Sequence, residues 1–215
     1  MDAAAWVLVA AYLSLTWELC IWRVPSVAST YQLLGRAPSA AAALAAARGL
    51  SAPVKVARFA LPAAFHVALY AVPAVALFWP AVLGPLLPIE TMAALPFRIG
   101  GALLVLGGRA LTLSAVVKLR ARVDGANVLT TGPYAWSRNP ALVGLYVFLL
   151  GAVCLAPAWL LFAGVCLHMA WMHPRARLEE SHLLALAGEP YRAYLARVPR
   201  YVGWRDATGA MRVPR

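Results

Sequence analysis

Gly132-Pro133-Tyr134-Ala135-Trp136-Ser137-Arg138-Asn139-Pro140-Ala141-Leu142-Val143-Gly144 is a polar, proline-punctuated turn set between two apolar segments. Upstream, residues 97–117 carry only Arg98 and Arg109 as charges. Downstream, residues 142–172 run apolar and break only at Ala156-Pro157. Pro157 suits the first position of a new helix, so the downstream segment reads as a helical hairpin. Its first arm of about 14 residues reaches about 21 Å, short of a hydrocarbon core of about 30 Å.

The rest of the chain has the same character. Of 215 residues, 63% are hydrophobic and 13% charged, and the mean hydropathy is +0.73. These values exclude an ordinary soluble domain. They predict an all-α integral membrane protein with about five transmembrane helices, the last two forming the hairpin, and a cytosolic C-terminal helical segment from residue 174. Ala3–Trp22 is the first span, and Asp2 without a basic leader marks it as a retained anchor. Residues 59–79 are the second span and contain Pro62 and Pro73, which neighbouring helices can accommodate. The connection 23–58 includes an Ala-rich piece, 40–47, expected as a short interfacial helix. Residues 80–96, with four prolines, read as an external connection.

Of the 19 Lys and Arg residues, 17 fall in 23–58, 118–140 and 173–215. The positive-inside rule puts these regions in the cytoplasm and the N-terminus outside, most simply in a cell (inner) membrane. The net charge of +11 is thereby explained without nucleic acid, for which no motif is present. Cys20, Cys154 and Cys166 lie in apolar stretches without ligand spacing, so buried thiols and no metal are expected.

Four ionisable residues fall inside spans: Glu18, His66, Arg109 and His168. By their distance from the flanking basic residues, each falls in the cytoplasmic half of its span. Such groups usually face a bundle interior or an aqueous cavity. Two readings follow: one polar cavity open to the cytosol, or a structural Glu18–Arg109 pair beside two satisfied histidines. A second cluster, Pro174-Arg175-Ala176-Arg177-Leu178-Glu179-Glu180, continues to Glu189-Pro190-Tyr191-Arg192-Ala193-Tyr194. Helical spacing puts Arg177, Glu180 and Leu184 on one face and pairs Arg175 with Glu179. The cluster reads either as an exposed ion-pair helix or as a grip for a zwitterionic small molecule, arginine holding a carboxylate and glutamate accepting from an amine or hydroxyls.

Gly132-Pro133-Tyr134, Arg138-Asn139-Pro140 with Gly144, the apolar hairpin, Arg177-Leu178-Glu179-Glu180 and Tyr191-Arg192-Ala193-Tyr194 together resemble the isoprenylcysteine carboxyl methyltransferase and phospholipid methyltransferase family of membrane enzymes. The resemblance covers residues 97–204. It implies a methyltransferase that binds S-adenosylmethionine in a cytosol-facing pocket and takes a lipophilic acceptor from the bilayer. By the same resemblance, Tyr134, Arg138, Asn139, Pro140, Gly144, Glu180 and Tyr191 become cofactor-binding residues, and Arg177 and Glu179 line the junction with the acceptor. Asn139 stands where the family has histidine and Leu142 where it has tyrosine. His168 joins Arg177 and Glu179 as a catalytic candidate, because a hydroxyl or ammonium acceptor must lose a proton, for which His168 or Glu18 would be the base. Residues 1–96 carry no such motif and are where acceptor specificity is expected, and 205–215 form a basic tail.

Two other readings differ in kind. The steroid 5-alpha-reductase group has a similar arginine motif beside a membrane and uses a nicotinamide cofactor, but it follows that motif with residues absent at Ala141, Leu142, Val143 and Leu145. A non-enzymatic membrane scaffold or carrier would use the polar positions only for packing.

Overall fold

The computed structural model describes residues 3–22, 48–120 and 128–202, and among them it is helical, without a strand. Its helices are α1 (Ala3–Trp22), α2 (Leu61–Phe78), α3 (Leu95–Arg120), α4 (Pro140–Leu155), α5 (Trp159–Ala187) and α6 (Glu189–Arg197). A helical turn, Ala52–Lys55, and a π-helical turn, Val56–Ala60, lead into α2. The all-α expectation therefore holds. The Ala-rich piece 40–47, most of the 23–58 connection, Arg122, Asp124 and the tail 205–215 lie outside the described residues, as does the Glu18 side chain.

Helices α3 and α4 run antiparallel along a seam of glycines. Gly108 faces the Gly144 carbonyl, and Gly101 faces the Gly151 carbonyl, so close that a Cβ at any of the four would collide with backbone or Thr112. The seven-residue spacing in both helices keeps the two glycine pairs in register across the antiparallel crossing. Bulkier neighbours then fill the flanks: Val105, Phe148, Leu149 and Val153 are buried in the main core with Leu69 and Val165. Helix α1 meets α3 through a polar contact, Arg109 Nε donating to Ser14 Oγ at 3.0 Å.

The α4–α5 turn differs in detail from the expected one. Pro157 is not the first helical residue, because Ala158 is extended and caps α5, which starts at Trp159. The backbone there is committed elsewhere: Ile89 N–H donates to the Pro157 carbonyl at 3.0 Å and Trp159 N–H to the Leu87 carbonyl at 2.9 Å. This clasp ties the α2–α3 connection to the hairpin turn. At the other end, α5 does not stop near Met172 but continues through Pro174 to Ala187. The apolar arm and the charged arm are one helix, which fixes Glu180 relative to the core.

Helix α3 contains a stretch, Leu95–Leu119, long and apolar enough to cross a membrane, and Trp6–Leu15, Ala64–Phe78 and Pro140–Leu155 are shorter apolar helices. The buried-thiol expectation is corrected for Cys154 and Cys166, the Cys20 side chain lying outside the described residues. Cys166 is exposed and Cys154 half-buried, because the outer face of α5 is itself apolar, with Phe162, Leu167 and Met169 exposed beside Cys166.

A candidate site where the Arg138 turn meets Glu180

One face of α5 is buried along its length at helical spacing: Leu161, Val165, His168, Met172, Arg175 with Ala176, and Glu180. The polar members of this stripe are where chemistry concentrates. Glu180 is the most sequence-distal, and its carboxylate is a hub. Arg200 donates to both oxygens, Nε to Oε1 at 3.0 Å and Nη2 to Oε2 at 2.7 Å, while Arg138 Nε stands 3.3 Å from Oε1. Buried carboxylates need such partners, since an unpaired one would cost several kcal/mol.

The Gly132–Asn139 turn reaches Glu180 because the segment after α6 clamps it. Gly132 adopts a positive φ of 63° and opens a 3-10 turn, Gly132–Ala135. Arg138 N–H donates to the Pro199 carbonyl at 2.9 Å, and Asn139 N–H to the Arg200 carbonyl at 3.1 Å. The Asn139 side-chain amide adds a bond to the same Arg200 carbonyl at 3.3 Å, and Ser137 Oγ another at 3.3 Å. From α6, the Tyr194 hydroxyl donates to the Tyr134 carbonyl at 2.8 Å. Pro140 then starts α4, where its missing N–H costs nothing.

Sequence candidates thus separate into groups. Tyr134, Arg138, Asn139, Glu180 and Tyr191 converge on one region. Asn139 serves there as a brace on Arg200, with its amide turned to backbone, and Pro140 sets the start of the helix. Gly144 lies one turn further along α4, filled by Gly108 and Thr112 of α3. Arg177 and Glu179 are exposed on α5 while Glu180 is buried, so Arg177 does not share the inward face of Glu180 as helical spacing suggested. Arg177 instead borders a surface depression with His173, Pro174, Leu178 and Ser181. His168 is fully buried and about 18 Å along α5 from Glu180, twelve residues at about 1.5 Å each.

Ser137, Arg200 and Tyr201 were not legible as site residues. The only available signal was Pro199-Arg200-Tyr201, a basic and aromatic pair behind a proline. Tyr201 hydrogen-bonds His173 at 3.1 Å, so adjacent residues hold two points of α5.

The electrostatics follow the geometry. Burial, with the Glu180 charge nearby, pushes the Tyr191 phenol up to about 12. Burial likewise raises Tyr194, and the neighbouring Tyr191 adds to this. The hydrogen bond to Glu180 raises Arg200. Burial lowers Arg175, opposed by the nearby Glu179 charge.

Comparison with protein families, curated proteins and solved structures finds no match. Among the described residues no group of three or more His, Cys, Asp or Glu has metal-binding geometry. What the site offers is charge of both signs in a sheltered place. The Arg138 side chain is 11% exposed, and its terminal Nη donors make no hydrogen bond to a described residue. Glu180 has acceptor capacity beyond its two fork bonds. That donor set fits the amino-acid end of S-adenosylmethionine: a guanidinium for a carboxylate and a carboxylate for an ammonium or hydroxyls.

Proposed function

We propose that the chain is an integral membrane methyltransferase that uses S-adenosylmethionine and methylates a lipophilic acceptor at the membrane–cytosol interface. The observation that carries this reading is the meeting of Arg138 with Glu180, drawn from motifs 42 residues apart by number. Arg138 would hold the cofactor carboxylate and Glu180 an ammonium or hydroxyl, with Tyr191 and Tyr194 as an apolar wall that limits water. The bound cofactor supplies an electrophilic methyl group on a sulfonium. The chain's own contribution is then alignment of an acceptor in a site with little water.

The membrane placement has support of its own. Five crossings by α1 through α5, with the N-terminus outside and the segment after α5 in the cytosol, would put the Lys- and Arg-rich regions on one side, and α3 by itself is long and apolar enough to span. Exposed Trp6, Trp79, Phe97 and Trp159 all fall toward the expected outer ends, as interfacial aromatic belts do. Exposed Ile99, Leu103 and Leu106 on α3 suit lipid contact better than water. Helix α4 has 16 residues and so spans about 24 Å, with tilt or local thinning taking up the mismatch.

Calorimetry of S-adenosylmethionine binding to the purified protein in nanodiscs tests the reading. The wild type should bind, and Arg138→Ala should weaken binding at least tenfold while leaving the thermal midpoint within a few degrees. Binding of a nicotinamide dinucleotide in its place would transfer the site to the reductase class. Absence of any nucleotide-type ligand would favour a scaffold or carrier.

A further inference from the structure

The exposed face of α5 changes chemistry along its length. Phe162, Cys166 and Ala170 follow one another at helical spacing and are exposed, and the next three positions on the same face are His173, Arg177 and Ser181, also exposed. Apolar surface thus passes into a donor-bearing patch within one turn. The surface there is concave: His173, Pro174, Arg177, Leu178 and Ser181 line a depression of about 320 Å³, at the lower end of ligand-site volumes. In the five-crossing arrangement this switch has a definite depth. Trp159 opens α5 at the outer end, and Arg177 comes 18 residues later, about 27 Å along the axis. That is close to the full hydrocarbon thickness of about 30 Å. The long arginine side chain therefore reaches the layer where the phosphates of the cytosolic leaflet begin.

The groups around the depression suit one kind of headgroup. His173 Nδ1 lies 3.1 Å from the Tyr201 hydroxyl. With that hydroxyl donating to Nδ1, a neutral ring carries its proton on Nε2, as a donor for a ligand. Arg177 makes no ion pair with a described residue, so its fork of N–H groups is open to an anion. Ser181 Oγ donates to the Arg177 carbonyl at 3.0 Å, which leaves the oxygen itself as an acceptor. Among the described residues no carboxylate lines the depression. Glu180 is committed to the Arg200 fork, and the Glu179 charge acts on Arg175. A choline or ethanolamine headgroup would bring an ammonium to a place without a carboxylate. A headgroup whose only charge is its phosphodiester brings one negative charge to one guanidinium.

We propose that the depression at His173, Arg177 and Ser181 binds the phosphodiester headgroup of an anionic phospholipid from the cytosolic leaflet, with an acyl chain along the Ala170, Cys166 and Phe162 face of α5. The proposal rests on the membrane placement of α5 and not on methyl transfer. Arg177 and His173 Nε2 donate to the phosphate oxygens, and Ser181 Oγ accepts from a headgroup hydroxyl such as those of phosphatidylglycerol. Binding is reversible and breaks no covalent bond. It also bears on the neighbouring site, because Tyr201 directly follows Arg200: the segment that braces His173 is the one that forks Glu180. A lipid seated on His173 and Arg177 holds α5 at one depth beside that segment.

Native mass spectrometry of the full chain released from a neutral detergent tests the site, with dioleoylphosphatidylglycerol and dioleoylphosphatidylcholine titrated against each other. The wild type should retain a single phosphatidylglycerol in preference to phosphatidylcholine. Arg177→Gln should weaken phosphatidylglycerol binding about tenfold and His173→Gln about threefold, the losses of a charge-assisted and an ordinary hydrogen bond. The thermal midpoint of Arg177→Gln should be unchanged, because its side chain is exposed. Arg192→Gln is the charge control: it removes an equal charge from an exposed position on α6 and should leave lipid binding as in the wild type. Glycerophosphoglycerol, the same headgroup without acyl chains, should not compete at equal concentration. Equal retention of the two lipids, wild-type affinity in Arg177→Gln, or the same loss in Arg192→Gln would each overturn the proposal. Competition by glycerophosphoglycerol would overturn it in favour of a site for a soluble phosphodiester. Carbonate extraction from phosphatidylcholine vesicles checks the premise separately. Release of the wild type would sink the membrane placement and the lipid site with it, whereas retention alongside any of the failures above would sink the headgroup site alone.

Discussion

Arg200 grips both oxygens of the Glu180 carboxylate, Nε at 3.0 Å and Nη2 at 2.7 Å, across 20 residues of chain. The fork fixes α5 to the segment after α6, and that segment fixes the Arg138 turn. Arg200→Ala should lower stability by about 2 kcal/mol, because it leaves a largely buried carboxylate with one off-axis partner. Arg200→Lys should recover less than half of this, since a single ammonium cannot reproduce the fork. The exposed Arg192–Glu189 pair, with side chains 66% and 75% exposed, supplies the contrast: Arg192→Ala should change stability by less than about 0.5 kcal/mol. Thermal unfolding in one detergent compares all three.

The glycine seam makes a second prediction with its control built in. Gly108→Ala and Gly144→Ala each place a methyl where the opposite helix has backbone, so α3 and α4 must separate. Each should cost about 3 kcal/mol or prevent assembly. Gly107→Ala is adjacent on α3 and meets nothing within 4 Å. It should be neutral or stabilise by about 0.5 kcal/mol through helix propensity. A uniform response at the three positions would contradict the antiparallel register.

The apolar runs made the helices readable, since length and punctuation by proline leave few alternatives. α1 covers the apolar run Ala3–Trp22, and α3 begins at Leu95, beside Pro96, where the proline-rich connection gives way to the next apolar run. The seam was not readable, because Gly101, Gly108, Gly144 and Gly151 identify themselves only once both helices are placed. Glu180 stood out by its neighbours, but its principal partner did not: Arg200 sits in a short irregular segment without periodicity, so nothing local aims its side chain. His66 and His168 are 102 residues apart, and only the packing of α2 on α5 makes them a pair. The two histidines are hydrogen-bonded to each other at 2.8 Å, while the Glu18 side chain of the Glu18–Arg109 reading lies outside the described residues.

Tyr191 makes stability sensitive to alkaline pH. Its phenol titrates at 10.0 in an ordinary environment and at about 12 in the folded chain, chiefly because burial disfavours the phenolate. The group therefore contributes its full stabilisation below pH 10.0 and loses it as pH rises through about 12. A shift of this size corresponds to at most about 3 kcal/mol. The thermal midpoint of the wild type should fall across that window, and Tyr191→Phe, which has no proton to lose, should show a shallower fall. Identical profiles would place the phenol in contact with water.

Tyr194 links α6 to the turn by one oxygen, donating to the Tyr134 carbonyl at 2.8 Å with the Ser137 carbonyl at 3.4 Å. Tyr194→Phe keeps the ring in its cluster with Tyr191 and Val198 and removes only this link. The loss should be about 1 kcal/mol of global stability. The larger effect should be local, because the Gly132–Ala135 turn loses its anchor to α6. Hydrogen exchange should therefore accelerate at Trp136 and Ser137 while the α3–α4 seam stays protected. If the turn carries Arg138 into a ligand site, S-adenosylmethionine affinity should fall about fivefold in Tyr194→Phe, less than in Arg138→Ala. Faster exchange with unchanged affinity would separate the turn from the ligand and leave Tyr194 a purely structural brace.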